Sequence, residues 1–163
     1  MPTDADISLD LGRCKTCAIR HHAICGALED DELQRLNRIA RRKSYAPGET
    51  IMSDDEKATF LANVVSGVVK LAKTLPDGRQ QIVGLLFAPD FVGRAYSQDN
   101  PYFAEAATNV ELCCFPRDRF EAVLKAFPGL EHRLFERTLN ELDSAREWMV
   151  LLGRKTANEK VAS

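Results

Sequence analysis

The sequence has 163 residues, of which 45% are apolar and 28% charged, with a formal net charge of −2. That balance suits one soluble folded domain with an extended element, gives no global basic footprint for nucleic acid, and includes no apolar run as long as a membrane span. The acidic start Met1–Asp6 carries no signal-peptide core, so the chain is expected in the cytoplasm, where clustered cysteines bind metal more often than they form disulfides.

Residues 1–12 read as a flexible lead-in. Residues 13–27 are a short basic segment in which Cys14, Cys17 and Cys25 are spaced C-x2-C-x7-C, beside His21 and His22. Soft thiolates at such spacing select zinc, copper(I) or an iron–sulfur cluster. Of the five cysteines only Cys113 and Cys114 lie far downstream, so three local thiols would take their fourth partner from the fold. Arg13, Lys15 and Arg20 are expected to favour thiolates over thiols. A purely local alternative uses Cys14, Cys17, His22 and Cys25 as a Cys3His zinc site, leaving Cys113 a buried strand cysteine. A disulfide switch is a third reading.

From Glu29 to Arg42 the residues Leu33, Leu36, Ile39 and Ala40 recur at helical spacing, and Arg41, Arg42 and Lys43 would close the last turn favourably for the helix dipole. Short β-rich runs follow at Thr50–Met52, Phe60–Val65, Val68–Thr74, Gln80–Phe87, Phe91–Val92, Ala104–Thr108 and Glu111–Phe115. Tyr45–Glu49, Ser66-Gly67, Pro76-Asp77-Gly78 and Pro89-Asp90 punctuate them as turns. About eight strands at roughly ten-residue spacing imply a double-sheet jelly roll or barrel.

After Pro116 the pattern turns helical. Asp118–Ala126 is one short helix, and Leu130–Leu152 is a long one. Leu134, Thr138, Leu142, Ala145, Met149 and Leu152 form a stripe that Phe135, Leu139 and Trp148 widen. Such a helix runs about 35 Å at 1.5 Å per residue, longer than a small β-roll covers, so the stripe is expected to be a parallel dimer seam. Thr156-Ala157-Asn158-Glu159 is a capping box that opens a further helix, and on that ground the sequence is expected to be the front part of a longer protein.

Elements in this order resemble the FNR branch of the CRP/FNR family of bacterial transcription regulators, with the cysteine spacing of the FnrL/FnrN-type members. The resemblance is carried by the three-Cys segment, Val65–Lys70, Pro76–Gln81, Phe91-Val92-Gly93, a Cys shortly before Pro116, and Leu151–Glu159. It implies a mainly β plus α fold: a cyclic-nucleotide-binding-like double-stranded β-helix (jelly roll) followed by a long dimerisation helix. It divides the chain into a cluster-binding segment (1–28), a β-roll with flanking helices (29–126), a dimerisation helix and hinge (127–155), and the start of a winged helix-turn-helix domain (156–163). It also implies a [4Fe–4S] cluster that oxygen degrades, with Cys14, Cys17 and Cys25 as three ligands and Cys113, three residues before Pro116, as the fourth. Cys114 would face the other side of the strand. The implied partners are a second copy of the chain, DNA through the C-terminal domain, and RNA polymerase. No membrane is involved.

Family members that bind cyclic AMP carry a Gly-Glu pair and a phosphate-binding Arg. Arg94 and Phe103 stand at those places here, and a phenyl ring does not hold a buried phosphate, so no cyclic nucleotide is expected. Nucleophile elbow, P-loop and dinucleotide fingerprint are all missing from the sequence, and no enzyme activity is expected. Asp54-Asp55-Glu56 reads as a solvated turn.

Overall fold

The computed structural model describes residues 11–54 and 56–154. Most of the lead-in, Asp55 of the acidic turn, and the capping box at Thr156–Glu159 lie outside the described residues.

The chain opens with a short helix, α1 (Leu11–Lys15), and a 3-10 turn at Ile24–Ala27. Helix α2 (Asp30–Ile39) starts from a capping box in which the Glu29 backbone N–H donates to Glu32 Oε2 at 3.0 Å, satisfying amides that a helix start leaves orphaned. Eight strands follow: β1 (Arg41–Tyr45), β2 (Thr50–Met52), β3 (Phe60–Ser66), β4 (Val68–Thr74), β5 (Gln80–Phe87), β6 (Phe91–Val92), β7 (Phe103–Ala106) and β8 (Val110–Pro116). Helices α3 (Arg117–Ala126) and α4 (Pro128–Arg154) are the last elements of the described residues.

The strands form two four-stranded antiparallel sheets, ordered β1-β8-β3-β6 and β2-β7-β4-β5, which face each other as a jelly roll. Period-two alternation divides β3 and β8 between two cores. Ala62, Val64, Leu112 and Cys114 point between the sheets, where they meet Ile51, Val69, Val92 and Ala106. Leu61, Phe115 and Cys113 point outward, under Ile24, Leu28, Leu33, Leu36, Phe120, Leu124 and Leu130 from the helical elements. Gly67, at φ +85°, turns the chain from the first sheet into the second, where any Cβ would collide with the Asn109 carbonyl.

The largest departure from the sequence expectation lies at the end of α2, beyond shifts of one or two residues at the ends of other elements. The helix ends at Ile39, and Arg41-Arg42-Lys43 is edge strand β1 rather than a last helical turn. Ala40 is already extended, and β1 pairs antiparallel with β8, placing Arg42 opposite Cys113. Arg41 still caps the helix from outside, donating from Nη1 to the carbonyls of Arg38 (3.2 Å) and Ala40 (2.8 Å). Basic residues thus serve the helix C-terminus, but from a strand.

Helix α4 spans 27 residues, about 40 Å. Leu130 is fully buried and Leu134 packs on the helical core. Further along, Phe135, Leu139, Leu142, Trp148, Met149, Val150 and Leu152 are exposed. Edge strand β5 is similarly bare, with Ile82, Val83, Leu85 and Phe87 each at least half exposed. No described helix is long and apolar enough to cross a membrane.

Candidate functional site

The N-terminal segment lies over the outer face of the first sheet, and α1, the 3-10 turn, α2, β1, β3 and β8 enclose one pocket. Cys14 on α1, Cys17 just after it, Cys25 in the 3-10 turn and Cys113 on β8 all line it. Its free volume is about 30 Å³. Ile19, Leu33, Leu36 and Phe115 make the apolar wall, and Arg13, Asn37, Arg42 and Asn63 are the polar remainder apart from Arg41. No histidine or carboxylate lines it. Gly26 allows the segment to fold back on itself, because a Cβ there would sit 2.8 Å from the Arg20 carbonyl oxygen.

Side-chain contacts tie these thiols to their surroundings. Cys14 Sγ donates to Asn37 Oδ1 at 3.1 Å, and Cys25 Sγ faces the Arg20 carbonyl at 3.9 Å. Arg42 reaches across from β1, donating from Nη2 to Cys17 Sγ at 3.2 Å and from Nη1 to Glu111 Oε1 at 3.2 Å. Burial pushes the Cys113 thiol up to about 12, with Arg42 pulling the other way. Burial also raises Cys25 to about 11, assisted by neighbouring Cys17 and Cys14, and raises Cys14.

These directions correct the expectation drawn from the local cations. Arg13 and Arg20 do pull Cys14 down, but burial outweighs them. Lys15 and Arg20 are turned to Asp30, at 3.6 and 3.2 Å. A guanidinium from outside the segment, that of Arg42, contacts a thiol. Nothing in the local cysteine segment announces it. A lone Asn63 inside the apolar run Leu61–Val65 is a weak mark that does not by itself point to the cysteines, and Arg42 carries no mark at all.

The two downstream cysteines part company. Cys113 joins the pocket, and Cys114 lies in the core between the sheets, 3% exposed. His21 and His22 are exposed, and His22 does not line the pocket. Among the described residues no three His, Cys, Asp or Glu side chains converge closely enough to hold a single metal ion. The donor set is therefore four thiols sharing a pocket without gathering about one point. That chemistry fits an iron–sulfur cluster, which takes four thiolates spread over several iron atoms.

The expected seam residues on α4 are placed on its bare part, except Leu134, which is partly covered by the helical core. Thr138 is exposed and donates its hydroxyl to the Leu134 carbonyl at 2.9 Å, while Leu142, Ala145, Met149 and Leu152 are exposed. Phe103, where the sequence reading looks for a phosphate-binding residue, opens β7 and is half-buried.

A two-sheet roll followed by one long helix is the architecture of cyclic-nucleotide-binding regulatory domains. The family model for the cyclic nucleotide-binding domain matches residues 42–127. The chain belongs to that family, in its CRP/FNR branch. It is 48% identical over 150 residues to a protein named "Probable transcriptional activator" of Rhizobium leguminosarum bv. viciae, covering 92% of this chain and 62% of that protein. It is likewise 48% identical over 153 residues to the transcriptional activator protein FnrL of Cereibacter sphaeroides, covering 94% of this chain and 62% of that protein. The solved structure of FixK2 from Bradyrhizobium japonicum superimposes with a TM-score of 0.69 at 34% identity, covering 76% of this chain and 63% of that one. The chain thus spans about three fifths of the length of these curated relatives.

Proposed function

We propose that the chain is the sensory and dimerisation portion of an oxygen-responsive transcription regulator of the cytoplasm, with a [4Fe–4S] cluster held by Cys14, Cys17, Cys25 and Cys113. The observation that carries this reading is that thiols from two distant stretches of chain line one pocket with no imidazole or carboxylate among them. When bound, the cluster supplies an oxygen-labile tie between the N-terminal segment and the roll.

The protein's own residues do the rest. Cys113 sits on a central strand, hydrogen-bonded to β1 and β3 on either side, so it is the fixed ligand. Cys14, Cys17 and Cys25 sit on a segment with little secondary structure, so they are the ligands that move. The 3-10 turn that carries Cys25 packs directly on α4, with Ile24 and Leu130 in the same core. A tied segment and a seated α4 then stabilise the same arrangement, which is the coupling a two-state sensor needs. The exposed stripe of α4 pairs with a second copy, and in the full-length regulator the dimer presents two helix-turn-helix domains to DNA and engages RNA polymerase. Cyclic nucleotide plays no part, because Phe103 replaces the phosphate-binding Arg.

Metal and sulfide analysis with an absorption spectrum, on protein reconstituted without oxygen, tests this. The expected result is about four iron and four sulfide per chain and a brown chromophore that bleaches in air. One zinc per chain, lost in His22→Ala, overturns it in favour of the local Cys3His site.

The dimer seam has its own test. Leu142→Glu with Met149→Glu removes roughly 1.5–3 kcal/mol of apolar burial per side chain, counted on both protomers of a symmetric pair. Sedimentation of the loaded protein is expected to show the dimer Kd raised by about 10,000-fold or more, with an unchanged circular dichroism spectrum. An unaltered Kd would remove α4 from the interface.

A further inference from the structure

Sheet pairing places three residues of the pocket in one row. Arg42 on β1 is directly opposite Cys113 on β8, and Cys113 is directly opposite Asn63 on β3. Residues paired in this way share a face of the sheet with their side chains side by side. All three line the pocket.

Asn63 is anomalous there. It is 1% exposed, and its Oδ1 is buried without a hydrogen-bond partner. A buried polar atom left unpaired lowers stability and calls for a reason. An apolar residue would suit the middle of Leu61–Val65 better. The amide's oxygen and nitrogen change places on a half-turn about the last side-chain bond. Facing a thiol, such an amide offers an acceptor; facing a thiolate, it offers N–H. Arg42 completes the pair from the other side, already 3.2 Å from Cys17 Sγ and steadied by Glu111.

We propose that Asn63 and Arg42 are positioning residues of the thiolate site, whose N–H groups hydrogen-bond the cysteine sulfurs when the cluster is held and so raise its reduction potential and slow its loss. This rests on the cluster reading above. The physical ground is that four thiolates concentrate negative charge in one pocket, where Arg42 already contacts a sulfur. Hydrogen bonds to cluster sulfurs and nearby positive charge are among the terms that set the potential, and donors to ionised acceptors are the stronger kind. Neighbours that hydrogen-bond a metal's ligands typically change retention by about 10–100-fold.

Wild type, Asn63→Val, Arg42→Gln and Arg42→Lys are reconstituted without oxygen and compared in four readouts: iron and sulfide content, midpoint potential, rate of iron loss to a chelator, and melting temperature of the metal-free chain. Asn63→Val and Arg42→Gln are expected to load iron, to show a more negative potential, and to lose iron about 10–100-fold faster. Arg42→Lys recovers part of the loss, because charge returns without the fork. Metal-free Asn63→Val melts no lower than wild type, since the orphaned amide is gone. A side chain present only for packing would instead shift melting and leave the potential alone. Potential and iron loss equal to wild type in both Asn63→Val and Arg42→Gln overturn the inference, and Arg42→Gln decides it alone where Asn63→Val does not fold. Wild type that takes up no cluster overturns the cluster reading itself, and this inference with it.

Discussion

Cys113→Ala is expected to abolish cluster uptake while leaving the jelly roll folded. The thiol projects from a central strand into the pocket, and no other residue of the first sheet offers a sulfur on that face. Cys114, one residue on, points into the opposite core, and its side chain cannot cross the sheet, because a strand alternates faces with period two. Cys114→Ala is therefore expected to load fully and to lose stability instead. Removing its one buried sulfur costs roughly 1 kcal/mol, the scale of a deleted methylene in a core. The check is paired: absorption and iron content for uptake, thermal melting for the fold. Loss of chromophore in Cys114→Ala with retention in Cys113→Ala would reverse the assignment.

Phe120→Ala carries the largest expected effect on stability. Phe120 is fully buried, and its ring stacks on Phe91 at 5.6 Å and on Phe115 at 5.1 Å between centroids. Truncating a buried Phe costs about 3–5 kcal/mol, and the lost ring pairs add to it. For a chain of this size that lowers the melting temperature by about 6–20 °C. Phe120 shares its core with Ile24, Leu28 and Leu33, so the same variant loosens the seat of the cysteine segment. Cluster retention should fall together with melting. A stable variant that melts like wild type would show that the outer core is not what holds α3 to the sheet.

Much of this architecture is legible in the residues alone, and the failures have physical causes. Strands β2, β4, β5 and β6 have the expected bounds, because turn residues such as Pro76-Asp77-Gly78 interrupt β-rich runs cleanly. Strand β1 is not legible: an edge strand with mostly exposed side chains shows no apolar alternation, and three basic residues after a helix satisfy the dipole rule equally well. The thiol cluster is legible as spacing, whereas Arg42 and Asn63 are not, because the pairing of β1, β8 and β3 creates their adjacency. The balance at the thiols is also a tertiary property. Counting local cations favours ionisation, and burial, with Cys17 alongside, reverses the sign at Cys14.

Strand β5 has a neighbour on one side only, and Gln80–Phe87 contains no charged residue and no proline. Nature usually blunts such an edge with lysine, proline or a covering loop. Left bare in a single chain, its unpaired amides and half-exposed Ile82, Val83, Leu85 and Phe87 are a template on which another molecule's strand can grow. Concentrating the isolated chain is therefore expected to cost it solubility before it costs it its fold.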